Sequence, residues 1–166
     1  MQPMSTVTSG ARGPTLRIIC INDVYTLEHL PKLINLVRHH RQREPADRTL
    51  VTLAGDFVGP STLSSLDKGR SMIDCLNAIG VTHVCFGNHE DDIEVEELQK
   101  RIQQFSGMWL STNISDFVMP LPKHDLITIH SPAGRQVRVG LIGVVMEEPT
   151  VYRRKPFGGV NIEPPL

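Results

Sequence analysis

The sequence predicts an α/β fold: a largely parallel sheet with helices between its strands, followed by a hairpin. Three observations predict it. Three short apolar runs rich in β-branched residues are each followed by apolar residues at helical spacing. Each run ends in a polar turn, at Asn22-Asp23, Gly55-Asp56 and Gly87-Asn88-His89. Beyond Trp109 the texture changes to two strand-like runs around turn residues. Strands alternating with helices at these lengths are βαβ units, whose parallel sheet is expected to be covered on both faces.

The first strand is read from Leu16, Ile18, Ile19, Cys20 and Ile21. Leu30, Leu33, Ile34 and Val37 keep the i, i+3, i+4, i+7 spacing of a helix, whose first turn tolerates Pro31. Glu44-Pro45 breaks that pattern. A second strand over 49–54 leads into a loop with Gly59 and Pro60. Met72, Ile73, Leu76 and Ile79 predict a helix that Gly80 closes. A third strand over 82–86 follows, then a helix marked by Val95, Leu98, Ile102 and Phe105, with Glu94, Glu96 and Glu97 at its dipole-positive end. Segments 126–130 and 137–145 read as strands joined by a turn over 131–135, a hairpin that feeds a second set of strands. The stretch 147–166 is rich in Pro and Gly and predicts no closing element.

A chain of 166 residues fits one domain, read here as a flexible Ser-, Thr-, Gly- and Pro-rich leader over 1–14 and a domain over 15–166. A net charge of −1 gives no basic field to hold a nucleic acid. The cluster Arg38, His39, His40, Arg41 and Arg43 reads as a solvated helix end matched to the dipole. No apolar stretch is long enough for a signal peptide or a membrane span, so a cytoplasmic chain without membrane partners is expected. Cys20, Cys75 and Cys85 lack paired spacing and read as reduced, packed thiols.

In open parallel sheets, ligands bind in the crevice beyond the carboxyl ends of the strands. Asp23, Asp56 and the pair Asn88-His89 all belong there. Two carboxylates, an amide oxygen and an imidazole form a mixed ligand set suited to Mn²⁺, Fe²⁺, Zn²⁺ or Mg²⁺. The segments Ile21-Asn22-Asp23-Val24-Tyr25, Leu53-Ala54-Gly55-Asp56 and Phe86-Gly87-Asn88-His89-Glu90 resemble, in order and spacing, the first three motifs of the calcineurin-like metallophosphoesterases. Gly69-Arg70-Ser71-Met72 through Leu76-Asn77-Ala78-Ile79-Gly80 is similar to a segment of the 5′-nucleotidase branch.

The resemblance implies a β-sandwich flanked by helices, two divalent metal ions, and hydrolysis of nucleotides or other phosphomonoesters. It makes Asp23 a ligand of the first metal, Asp56 the bridge, and Asn88 a ligand of the second. His89 would sit beside the scissile phosphate and assist the leaving oxygen, oriented by Asp92; Asp91, the neighbouring alternative, reads better as a residue of a helix start. Two departures stand against the family pattern. Tyr25 occupies the place of a metal-binding histidine: it is open to being a phenolate ligand, a partner of coordinated water, or a packed aromatic. A later lone histidine and a Gly-His-x-His motif are absent, and His124 and His130 read as surface or edge residues. The domain is therefore expected to be truncated, with apolar faces left exposed. The competing reading is a non-catalytic binding module that keeps the fold without a complete metal site. A dinucleotide-binding domain is disfavoured, because no G-x-G-x-x-G follows the first strand.

Overall fold

The computed structural model describes residues 12–43 and 46–165. The leader up to residue 11, and the expected helix break at Glu44-Pro45, lie outside the described residues. Strands β1 (Leu16–Ile21), β2 (Arg48–Ala54), β3 (His83–Cys85) and β4 (Met108–Leu110) pair in parallel in that order. Helices α1 (Leu30–Arg43), α2 (Thr62–Asp67), α3 (Arg70–Ile79) and α4 (Val95–Gln104) lie between them in the chain. Strands β5 (His124–His130) and β6 (Gln136–Ile142) form an antiparallel hairpin.

Alternation along each strand divides the sheet into two faces. One carries Ile19, Ile21, Val51, Leu53, Val84 and Trp109 into the main core, where Val37 of α1, Ile73 and Leu76 of α3 and Leu98 of α4 cover them. Each fully buried aliphatic side chain there stabilises the fold by roughly 1.5–3 kcal/mol. On the other face Leu50 is buried beneath Ile127 and Ile129 of the hairpin, with Leu16, Val139 and Leu141 alongside. His83 of β3 ties the two sheets together: its Nε2 meets Asp125 Oδ2 of β5 at 3.0 Å, and its Nδ1 meets Thr82 Oγ1 at 2.9 Å. The architecture is thus a two-sheet sandwich, with helices on one side and a hairpin on the other.

The hairpin covers its face only in part. Ile18 is 54% exposed and Ile142 67%, and Cys20 and Ala54 are also exposed. A cavity of about 240 Å³ opens between the sheets, lined by Ile18, Ala54, Cys85, Leu141 and Ile142 among others. This corrects the expectation of three packed thiols: all three are free, but Cys20 lies on the uncovered face.

Several boundaries differ from expectation for local reasons. The loop after Pro60 contains α2, capped by Ser61, whose hydroxyl accepts from Ser64 N while Ser64 Oγ accepts from Ser61 N. Strand β4 was not anticipated. The third strand is shorter than 82–86, because Phe86 turns into an aromatic cluster with Trp109, Phe117 and Phe157, at ring-centroid separations of 5.0–5.3 Å. Strand β6 stops at Ile142, and Gly143 then crosses the main sheet so closely that a Cβ there would stand 2.6 Å from that of Cys85. Gly80 ends α3 in the left-handed region, as its position predicts.

Candidate metal centre

The site is built where β1, β2 and β3 end. After β1 the backbone turns at Asp23, and after β2 at Asp56; both hold left-handed φ values, 54° and 58°. Non-glycine residues adopt that region at a cost, which surrounding contacts must offset. Val24 N donates to Asp56 O at 2.9 Å, joining the two turns. Gly55 and Gly87 let the second and third turns touch: a Cβ on Gly55 would lie 2.5 Å from Gly87 N, and one on Gly87 would fall on the Asp56 carboxylate.

Glu90 locks this assembly. It is fully buried, and its two oxygens accept from the backbone N–H groups of Asp56, Phe57, Val58 and Gly87 at 2.6–3.0 Å. Burial pushes its pKa up, and the four N–H bonds pull the other way. Every one of these partners is a donor, so the carboxyl serves as an acceptor on both oxygens.

On this platform the structure brings the expected residues together. The Asp23 and Asp56 carboxyls are close enough to influence each other's protonation. The Tyr25 hydroxyl donates to Asp23 Oδ1 at 2.6 Å, and the Asn22 amide donates to Oδ2; the Tyr25 bond first, then the Asn22 bond, holds the Asp23 carboxyl below its ordinary range. Burial pushes Asp56 up, opposed by the His89 N–H that bonds its Oδ1 at 2.9 Å. Bonding to Asp23 raises the Tyr25 phenol above its ordinary value, so the hydroxyl keeps its proton and serves as a donor. The Tyr25 ring stands edge-on to His89, with centroids 5.8 Å apart.

His89 Nδ1 meets Asp92 Oδ2 at 2.8 Å, whereas Asp91 Oδ1 accepts from Phe157 N at 2.6 Å. Of the two adjacent acids, Asp92 faces the imidazole and Asp91 holds backbone. The residues Asn88–Asp92 form a 3₁₀ turn, and the Asn88 amide nitrogen donates to Val151 O at 3.3 Å, which leaves its oxygen available. His124 and His130 are exposed at opposite ends of β5, on the hairpin and not in the turns that follow β1, β2 and β3.

Two contributors were not visible in the sequence. Glu90 stands in the third motif, but its role comes from backbone partners that tertiary contact brings to it. Residues 149–158 form a strap across the turn: Arg154 donates to Asp91 O and Ile93 O at 3.2 and 3.0 Å, and Arg153 Nε lies 3.3 Å from Asp92 Oδ1. No local signal marks that docking.

The donor chemistry tests the fit of a metal. Asp23, Asp56 and Asn88 offer hard oxygens at adjacent strand ends, which suits a divalent cation. Among the described residues, no group of three or more His, Cys, Asp and Glu side chains is gathered to hold one. The oxygens fit, and the shell they make is partial.

Comparison with known proteins bears on this arrangement. No curated protein matches the chain significantly. Among solved structures, a Thermus thermophilus sulfate thiohydrolase, SoxB, is similar with a TM-score of 0.66 and 24% identity over 78% of this chain. The NAD nucleotidase of Haemophilus influenzae gives 0.74 and 21% over 90%, and a 5′-nucleotidase precursor from Thermus thermophilus gives 0.73 and 18% over 91%. The chain spans 24%, 29% and 32% of the lengths of these three, so at these identities they speak for the fold. The family model for calcineurin-like phosphoesterases matches residues 16–149, most of the chain, Asp23, Asp56, Asn88, His89 and Asp92 included, and this chain belongs to that family.

Proposed function

We propose that the chain is a metal-dependent phosphoester hydrolase acting on nucleotides through a two-metal site. The observation that supports it is the convergence of Asp23, Asp56, Asn88 and His89 at the ends of three adjacent parallel strands, in a member of this family. Asp56, with two oxygens, is the shared ligand; Asp23 serves the first position and Asn88, through its free amide oxygen, the second. Bound divalent ions supply an activated water and neutralise phosphoryl charge. His89, held at Nδ1 by Asp92, presents Nε2 to the leaving oxygen and hands it a proton. Nucleotides are the substrate class favoured by the two nucleotidases among the similar folds.

One observation favours the second reading, a non-catalytic module. Tyr25, at the place of a family ligand, is committed to donating its proton to Asp23. Calorimetry with Mn²⁺ and Zn²⁺ on the chain and on Asp56→Asn separates the two. Hydrolysis requires tight binding that the substitution weakens by roughly a hundredfold or more. Absence of binding in both proteins would leave the module.

A further inference from the structure

We infer that Arg153 is a substrate-recognition residue that takes the phosphoryl oxygens of the ligand at this site. The inference deepens the phosphoester reading above and rests on it.

The strap that carries Arg153 is fixed in place. Val151 O accepts from Asn88, Phe157 N donates to Asp91, and the Tyr152 hydroxyl donates to Met146 O at 2.5 Å while its ring packs on Phe157. Arg154 anchors the strap, through two backbone carbonyls of the underlying turn and the Glu94 carboxylate. Arg153 is its opposite. Its side chain is 75% exposed, and its one ion pair among the described residues is to Asp92 Oδ1, the oxygen that His89 does not use. Asp92 therefore lies between an imidazole and a guanidinium at the edge of the site, and the guanidinium fork remains open to solvent.

The surroundings explain why a cation belongs there. Glu90, Asp91 and Asp92, which hold no metal in the reading above, keep acidic groups beside the strand ends, and a phosphate dianion approaching that edge is repelled at close range. Arg153 is placed to oppose that field, and its planar fork matches two phosphoryl oxygens at once, which an ammonium cannot do. The Asp92 pair holds the guanidinium at the site while leaving the outer nitrogens for the ligand.

Inorganic phosphate is the probe. Its affinity is measured by calorimetry on the full chain with Mn²⁺ present, for the wild type, Arg153→Ala and Arg153→Lys. Arg153→Ala should weaken phosphate roughly tenfold, and Arg153→Lys should recover part of the loss. Mn²⁺ affinity and the thermal midpoint should be unchanged. Equal phosphate affinity in all three proteins overturns the inference and leaves the phosphoester reading intact. A fall in the thermal midpoint or in Mn²⁺ affinity for Arg153→Ala also overturns it, because the arginine would then be a strap anchor. If the wild type binds Mn²⁺ but no phosphate, the reading of the site fails first and takes the inference with it.

Discussion

Glu90 shows how one side chain can set the geometry of a site it does not enter. Its carboxyl collects N–H groups from the turn after β2 and from Gly87 after β3, so it fixes the distance between Asp56 and Asn88. Glu90→Gln replaces one acceptor oxygen with an amide that faces two N–H donors, and removes the charge from the remaining bonds. Breaking a buried network of this kind costs about 3 kcal/mol. Urea unfolding should show that loss, and a change below about 1 kcal/mol would mean that the four bonds are individually dispensable. At this scale the sequence was informative where chemistry and turn chemistry coincide. Asp23, Asp56, Asn88, His89 and Asp92 stand in recognisable turns, and the structure places them at one end of the sheet. Glu90 and Arg153 were not legible, because each acts on a segment more than thirty residues away in the chain.

Among the elements, α2 and β4 escaped the sequence reading for related reasons. Leu63 and Leu66 of α2 are exposed, so the helix writes no apolar stripe, and it is held instead by its capping serines and by Asp67. Strand β4 has three residues, too few for a periodic pattern. The amphipathic helices α3 and α4 were legible because their buried residues keep helical spacing. Asp67 joins α2 to α3 by accepting from Gly69 N at 2.9 Å and Ser71 N at 2.8 Å. Burial works to raise its pKa, but the bonds from Ser71 and Gly69 prevail and the carboxyl lies below the ordinary aspartate value of 3.8. A lowered folded-state pKa contributes stability that is present above the unfolded value and is lost as pH falls through the folded one. Asp67→Ala should therefore cost about 1 kcal/mol at neutral pH. Denaturation curves of the two proteins should draw together as the pH falls below 3.8 and meet only below the lower folded value; a gap that persists in stronger acid would assign the effect to packing.

For the whole molecule, the two faces of the parallel sheet have unequal cover. The helical face was readable from periodicity, since α1, α3 and α4 must bury their stripes somewhere. The other face is covered only in part, as the expectation of exposed apolar faces has it, because a two-stranded hairpin is narrower than the four-stranded sheet beneath it. Leu50 is sealed, while Ile18 and Ile142 at the margin stay wet.

That margin also carries a chemical reporter. Cys20 stands open on the uncovered face, whereas burial raises the pKa of Cys85, to about 11, and of Cys75. The thiolate is the reactive form, so a small alkylating reagent at neutral pH should add once to the folded chain, at Cys20, as peptide mapping would show. Comparable labelling of Cys85 would mean that the two sheets part readily. Any molecule that comes to cover the face should slow the reaction at Cys20, so the rate of one alkylation measures how much of the sandwich is closed.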